Sequence, residues 1–367
     1  MTSKKILILS SCFYPNISPR SFRTTELAKE LARRGHDVTV YISKEDYDYD
    51  KISKDYGITI KDYGKLRLKK ISYSGGKIEF WIRRAVNRIL LQFIQYPEIE
   101  FLFKVLKVLK KEYAYDLLIS IAVPHPIHWG VALFGKKIKR ITSKWIADCG
   151  DPYMLCKTGQ FKKMFYFSYL EKKFCKNADY ITVPTNQAIE GYYPEFKNKI
   201  RVIPQGFDID NIILFNGSYN NSIPTFAYAG SFIPNKRDPG ELIEYLYSLT
   251  VDFHFIIYTN DHILLNKYLD KDSSKIEVRT YIPRDNLLYE LSKMDFLVFF
   301  ENNTYIQTPS KIIDYALTKK PILSVTTGAL DVNSVNNFIN GDYSKALKIN
   351  NISDYNIINI VDKFLQL

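Results

Sequence analysis

Long apolar runs are missing from this chain of 367 residues: no stretch of about eighteen apolar residues occurs, so no transmembrane helix is expected. The early run Ile6 to Leu9 is too short for a signal peptide and has no small-residue cleavage site behind it, so it reads as a buried strand. Cysteine is scarce. Cys12, Cys149, Cys156 and Cys175 form no CxxC pair and no Cys/His cluster with zinc-ligand spacing. That excludes a disulfide scaffold or zinc module, and reduced thiols in a cytoplasmic protein are the expectation. Glycine is modest, and no Gly-x-Gly-x-x-Gly follows the first strand, which argues against a dinucleotide dehydrogenase. Repeats of solenoid length and low-complexity tracts are also lacking.

What is present is a soluble-type apolar share, with Tyr and Phe plentiful enough to carry much of the core. A net charge of +12 points to an anionic partner: nucleic acid, a membrane surface or a phosphorylated substrate. The base-rich stretch contains no recognised nucleic-acid module, so nucleic acid is not expected. At this length two domains with real cores are possible.

The chain alternates strand and helix. Lys5 to Ser10 is an apolar run, a polar loop FYPNISPRSFR follows, Leu27, Ala28, Leu31 and Ala32 recur at helical spacing, and Gly35 precedes the strand Val38 to Ile42. Such a βαβ unit opens a doubly wound domain. Further strands are expected at Leu117–Ala122, Lys144–Ala147, from Tyr180 and at Ile200–Pro204, with a helix over Phe161–Asn177. A polar segment, Asn216 to Pro224, marks a linker. The rhythm then restarts with strands at Thr225–Ala229, Phe253–Tyr258, Phe296–Phe300 and from Pro321, and helices at Gly240–Leu249 and from Pro309. The expected architecture is α/β: two Rossmann-like domains, 1–215 and 216–350, facing each other across a cleft, with a closing helix over 351–367. Lys61 to Lys111 breaks the rhythm, interleaving many bases with aromatic and aliphatic residues. Residues 77–111 suit an interfacial helix on an anionic membrane surface; the competing reading is a helix pair with a solvated basic face.

Several residues could carry chemistry. In TPSKIIDYALTKKPIL, Thr308 fits a helix N-cap, Pro309 the first helical position, and Lys311 the first turn. A helix opening favours an anion, and Asp314, three residues after Lys311, can accept from hydroxyls; together they suit a ribose carrying a diphosphate. An ordinary capped surface helix is the alternative. In YAGSFIPNKRD, Gly230 permits close backbone approach and Lys236 with Arg237 can neutralise a diphosphate. Arg20 and Arg23, after the first strand, offer bidentate anion contacts, or cap the sheet edge. Asp148 and Asp151, past a strand end, could serve sugar hydroxyls, a metal or a general-base proton, against a purely loop-structural role. His125 and His128 follow another strand, and His128 is the functional candidate by position and loop chemistry.

In order and spacing these segments resemble glycosyltransferase family 4, retaining nucleotide-sugar enzymes of GT-B architecture. The resemblance rests on ILILSSCFYPNISPRSFRTTELAKELARRGHDVTVY, WIADCGDPY, VIPQGFD, YAGSFIPNKRD and PSKIIDYALTKKPIL. It implies retaining, metal-independent hexosyl transfer from a nucleotide-diphosphate sugar to a glycan or lipid-linked acceptor, in capsule, O-antigen or lipopolysaccharide synthesis. No cofactor or metal is implied. By motif position Lys236, Arg237, Ser310 and Lys311 would hold the donor diphosphate and Asp314 the ribose. The acceptor would lie near Arg20 and Arg23, and His128, with Asp148 and Asp151, near the reacting sugar. The enzyme would be cytoplasmic, peripheral at the inner face of the plasma membrane. Ile306 falls where the family often has the first acid of a Glu-x7-Glu pair, Glu301 is out of register, and Gln307 is a partial substitute; Ser231 replaces a common arginine. Two rivals are a 2-epimerase of the same architecture, using Asp148 and Asp151 as acid and base, and a non-catalytic scaffold subunit, which the missing acid favours.

Overall fold

The computed structural model describes the chain except residues 1, 74–75, 156–162, 218–220, 261–262, 270–274, 302–309 and 350, and the side chains of Leu269 and Ser310. It forms two compact units, residues 1–207 with 357–367, and residues 208–356. The expected divisions were at 215 and 350; the chain leaves the first unit after Phe207 and re-enters it at Ile357.

In the first unit seven strands form one parallel sheet: β1 (Lys5–Leu9), β2 (Asp37–Ile42), β3 (Ile58–Asp62), β4 (Tyr115–Ile121), β5 (Thr142–Asp148), β6 (Tyr180–Val183) and β7 (Ile200–Val202). Their order across the sheet is β3-β2-β1-β4-β5-β6-β7. The helices are α1 (Pro19–Arg33), α2 (Tyr49–Tyr56), α3 (Lys77–Ile94), α4 (Glu100–Leu109), α5 (Pro126–Phe134) and α6 (Phe167–Asn177). Both sheet faces are covered, so β1 is apolar at every position but its first, and successive residues serve opposite cores. Ile6 and Ile8 pack in the cluster with Leu27 and Leu31 of α1, and Leu7 and Leu9 in the one with Val105 and Trp129. α1 starts where Ser18 accepts a hydrogen bond from the Ser21 amide and Pro19 takes the first helical position.

The second unit repeats the plan with β8 (Thr225–Ala229), β9 (His254–Tyr258), β10 (Ile276–Arg279), β11 (Phe296–Phe300) and β12 (Ile322–Val325), ordered β10-β9-β8-β11-β12. Its helices are α7 (Gly240–Ser248), α8 (Asn266–Leu269), α9 (Arg284–Leu291), α10 (Ser310–Leu317) and α11 (Val332–Ile339). Aromatic rings fill the core as the composition implied: Phe226 stacks on Phe255 of β9 and Phe296 of β11, centroids 4.8 and 4.5 Å apart. The closing helix, α12 (Ile357–Gln366), belongs to the first unit, burying Ile360, Val361 and Phe364 in the α1 cluster. Among the described residues no helix is long and apolar enough to cross a membrane.

Candidate functional site

Parallel strands place their C-terminal ends together, so the loops leaving β1, β4 and β5 converge on one edge of the first sheet. Asp148 ends β5 and is fully buried. Its two carboxylate oxygens accept from Arg23 Nη2 at 2.8 Å and Nε at 3.0 Å, and Oδ1 also accepts from Thr182 Oγ1 at 2.6 Å. Burial alone would raise this carboxyl's pKa. The Arg23 charge and hydrogen bonds, then Arg20 and Thr182, more than offset it and hold the group below the usual carboxylate range. Arg23 is itself only 4% exposed, and it donates further to the carbonyls of Ile203 and Pro204 and lies 5.1 Å over the Phe364 ring.

Two expectations are corrected here. Arg23 is not open to an acceptor and Asp148 is not open to a sugar or a proton in transit, because each is the other's buried counter-ion. The pair ties α1, β5, β6, the chain after β7, and α12 together.

His128 is a third correction. One turn inside α5, it is fully buried with both ring nitrogens in contact: Nδ1 with Ser120 Oγ at 2.7 Å and Nε2 with Cys149 Sγ at 3.3 Å. Trp145 donates to the same Ser120 oxygen at 2.8 Å. Burial pulls the His128 pKa down to about 3, so it stays neutral in the core. Replacing His128 with Ala is expected to destabilise the fold by about 1–3 kcal/mol, because the buried Ser120 and Cys149 lose a partner. The folded variant should keep its turnover within a few-fold. Urea titration beside kcat checks this: unchanged stability with a hundredfold drop in kcat would restore a catalytic histidine.

The loop leaving β4 carries His125 at the start of α5. It is buried, its Nδ1 has no hydrogen-bond partner among the described residues, and the Asp151 backbone accepts from its ring. Burial, then His128 and Lys163, push its pKa well below the ordinary histidine value. Arg20 is beside it in the first turn of α1. Its guanidinium packs on Gly150, where an added Cβ would come within 2.7 Å of the arginine Cζ. Among the described residues that guanidinium has no hydrogen bond or ion pair, and Asp151 lies within electrostatic reach. Position relative to the strand end was the available signal: His125 is four residues past β4, and His128 already a turn deeper.

The second unit gathers its cations around Gly230. Lys311, in the first turn of α10, lays its ammonium on that glycine so closely that a Cβ there would fall 1.6 Å from Nζ. The Gly230 φ of +155° and this approach both require the missing side chain. Nζ also sits 5.5 Å from the Tyr228 ring centroid. Burial first, then the nearby Arg237 cation, bring the lysine pKa down to about 8 against the pull of Asp314. Arg237 interacts with the Tyr228 hydroxyl, and its Nε is buried without a hydrogen-bond partner among the described residues. The structure therefore joins Arg237 to Lys311. The Lys236 side chain is exposed, and its backbone carbonyl accepts from Thr327 Oγ1 at 2.9 Å.

Asp314 lies one turn along α10 from Lys311. Its Oδ1 accepts from Arg284 Nε at 2.9 Å and Nη2 at 2.6 Å, a partner the sequence reading missed. Burial still raises its pKa, with Arg284 opposing. Glu301, at the end of β11, accepts from Ser324 at 2.6 Å and Thr326 at 3.2 Å. Ser310 opens α10, while Ile306, Gln307, Thr308 and Pro309 lie outside the described residues. Among the described residues no group of three or more His, Cys, Asp or Glu side chains is placed to hold a metal ion.

A sequence model described as Glycosyltransferase Family 4 matches residues 22–211, just over half the chain. No curated protein matches by sequence. In fold the chain is similar to a glycosyltransferase from Rickettsia africae, at 14% identity, TM-score 0.64, covering 100% of this chain and 98% of that one. It is also similar to the lipopolysaccharide outer core galactosyltransferase WaaB, at 13% identity, TM-score 0.62, covering 99% and 98%. A variant of S. aureus TarM, solved with fondaparinux, alpha-GlcNAc-glycerol and UDP, aligns at 11% identity, TM-score 0.58, covering 99% of each chain. The two parallel sheets are those of the GT-B glycosyltransferase fold.

Proposed function

The chain belongs to glycosyltransferase family 4, and from that premise we propose that it moves a hexosyl group from a nucleotide-diphosphate donor to a glycan or lipid-linked acceptor in surface-polysaccharide assembly. The observation that carries this reading is the Lys311 ammonium on Gly230, beside Arg237 and one turn from Asp314. Two cations held in a partly buried setting suit the charge that develops on a departing diphosphate, and they need no reorganisation as it forms. Asp314, with Oδ1 held by Arg284, keeps Oδ2 for a ribose hydroxyl.

In the proposed reaction the bond from the anomeric carbon to the diphosphate oxygen breaks. A new bond forms from that carbon to an acceptor hydroxyl oxygen on the same face, so configuration is retained. The hydroxyl proton passes to the departing diphosphate, whose negative charge Arg237 and Lys311 meet without a metal ion. In the first unit Arg20, His125 and Asp151 would serve the acceptor, working from the cytoplasmic side of the membrane. An epimerase would need Asp148 and Asp151 as free carboxylates; the Arg23–Asp148 ion pair supports transfer instead.

The test is calorimetric titration of the protein with UDP, GDP and ADP, followed by the matching sugar donors with glycan acceptors. One nucleotide should bind and stabilise the fold by mass action. An α-linked donor should give an α-linked product by proton NMR. No binding of any nucleotide, or a free epimer as the only product, would overturn the proposal.

A further inference from the structure

Helix α3 presents the wrong face to water. Over its eighteen residues none is buried. Ile78, Ile82, Val86, Ile89 and Phe93 recur at spacings of four, four, three and four, which lines them along one stripe. They are exposed by 77, 57, 42, 56 and 47%, and Trp81 at the stripe's edge by 61%. An amphipathic helix of a globular unit ordinarily turns such a stripe inward. Here the opposite side meets the protein: Arg83 donates to the Ser72 carbonyl at 3.2 Å, Asn87 to the Tyr73 hydroxyl at 2.6 Å, and Phe80 packs edge-on to Tyr73. The Tyr166 hydroxyl holds the Phe93 carbonyl. The helix is thus fastened with its apolar stripe outermost, and a contiguous exposed patch of this kind marks an interaction surface.

Next to it in the chain is a basic hollow of about 540 Å³, lined by residues on either side of α3 in sequence. Lys104 is used internally, donating to the Gly64 and Lys65 carbonyls. Lys65, Arg67, Lys69 and Lys107 are exposed, and among the described residues their side chains have no ion-pair partner. The hollow is joined to the helix directly, because Tyr96, two residues past α3, donates to the Lys69 carbonyl at 2.5 Å. Further cations, Lys77, Arg84 and Arg88, follow α3 itself beside the stripe. An apolar stripe bordered by cations matches one surface above others: acyl chains under a layer of anionic headgroups.

We propose that α3 is an interfacial helix that seats the first unit on an anionic lipid bilayer, with the hollow of Lys65, Arg67, Lys69 and Lys107 taking headgroup phosphates. The stripe enters the boundary between headgroup and acyl chain, and the cations supply a salt-sensitive attraction. This holds independently of what the second unit binds.

The test is flotation of the full chain with phosphatidylcholine vesicles, with and without phosphatidylglycerol. Binding to the anionic vesicles should be tighter by about tenfold or more, and should weaken as salt rises. Ile82→Glu with Ile89→Glu should abolish it. Lys65→Gln, Arg67→Gln and Lys107→Gln together should bring it down to the level seen with neutral vesicles. Circular dichroism and nucleotide titration of each variant keep loss of docking distinct from loss of fold or of donor binding. Equal binding to both vesicle types, or none to either, overturns the proposal. So does a wild-type dimer in light scattering that the Glu variant renders monomeric without changing vesicle binding, since the stripe would then belong to a second copy.

Discussion

Replacing Lys311 with Ala lowers kcat/KM for the nucleotide sugar by about 10²–10³-fold, the loss expected when one preorganised charge on a departing oxyanion is removed. Arg237→Ala should fall in the same range. The double variant should lose less than the product of the two, because both cations address one charge. The lysine also leaves a pH signature. Its ammonium, depressed to about 8 by burial and Arg237, must be charged to hold a diphosphate. Donor affinity is then level below that pH and falls above it by up to about tenfold per pH unit. Lys311→Arg should remove the fall, since a guanidinium stays charged. The donor-free protein moves the other way. Unfolded Lys311 keeps its proton to the ordinary value of 10.5, above the folded value, so this group makes stability rise between about pH 8 and that value. Steady-state kinetics and calorimetry across pH decide the matter. A Lys311→Ala enzyme within twofold of wild type would remove the second unit's cations from the donor site.

Arg23→Ala should destabilise the first unit by about 3–5 kcal/mol, the range for leaving one partner of a buried ion pair uncompensated. Asp148 would remain buried with Thr182 as its partner, beside the carbonyls of Ile203 and Pro204. Asp148→Asn should cost less, because the amide oxygen can still accept from Arg23, and the guanidinium left without its counter-ion keeps the carbonyls of Ile203 and Pro204 as acceptors. The paired replacement Arg23→Met with Asp148→Leu should recover much of the loss, since an apolar pair of similar volume avoids desolvating two charges. Urea-induced unfolding measures all three variants beside the wild type. If Arg23→Ala left the midpoint unchanged and raised only the KM for acceptor, the arginine would be an acceptor contact after all.

Legibility in the sequence followed burial. Strands covered on both faces, such as β1 with KILIL and β11 with FLVFF, are unbroken apolar runs and were readable. The edge strands β3, ITIKD, and β10, IEVR, carry no such run, because an edge position leaves room for polar and charged residues. The Phe161–Asn177 helix proved shorter, with α6 beginning at Phe167, and residues 161–162 lie outside the described ones. In the candidate site, the neighbourhood of Lys311 and Asp314 was plain from their spacing on one helix. Arg284 was not, because it reaches Asp314 from a different helix thirty residues away in sequence.

By itself the sequence determined the repeating parallel α/β plan, the excess of positive charge, and which residues share a helix face. Periodicity is a local property, and local geometry sets it. Only the tertiary structure decided what covers each face. It buried Arg23 against Asp148, enclosed His128 between Ser120 and Cys149, laid Lys311 on Gly230, and turned the apolar stripe of α3 outward. A charge pattern cannot reveal such choices, because whether a cation is spent inside or kept for a ligand depends on the groups that long-range packing brings against it.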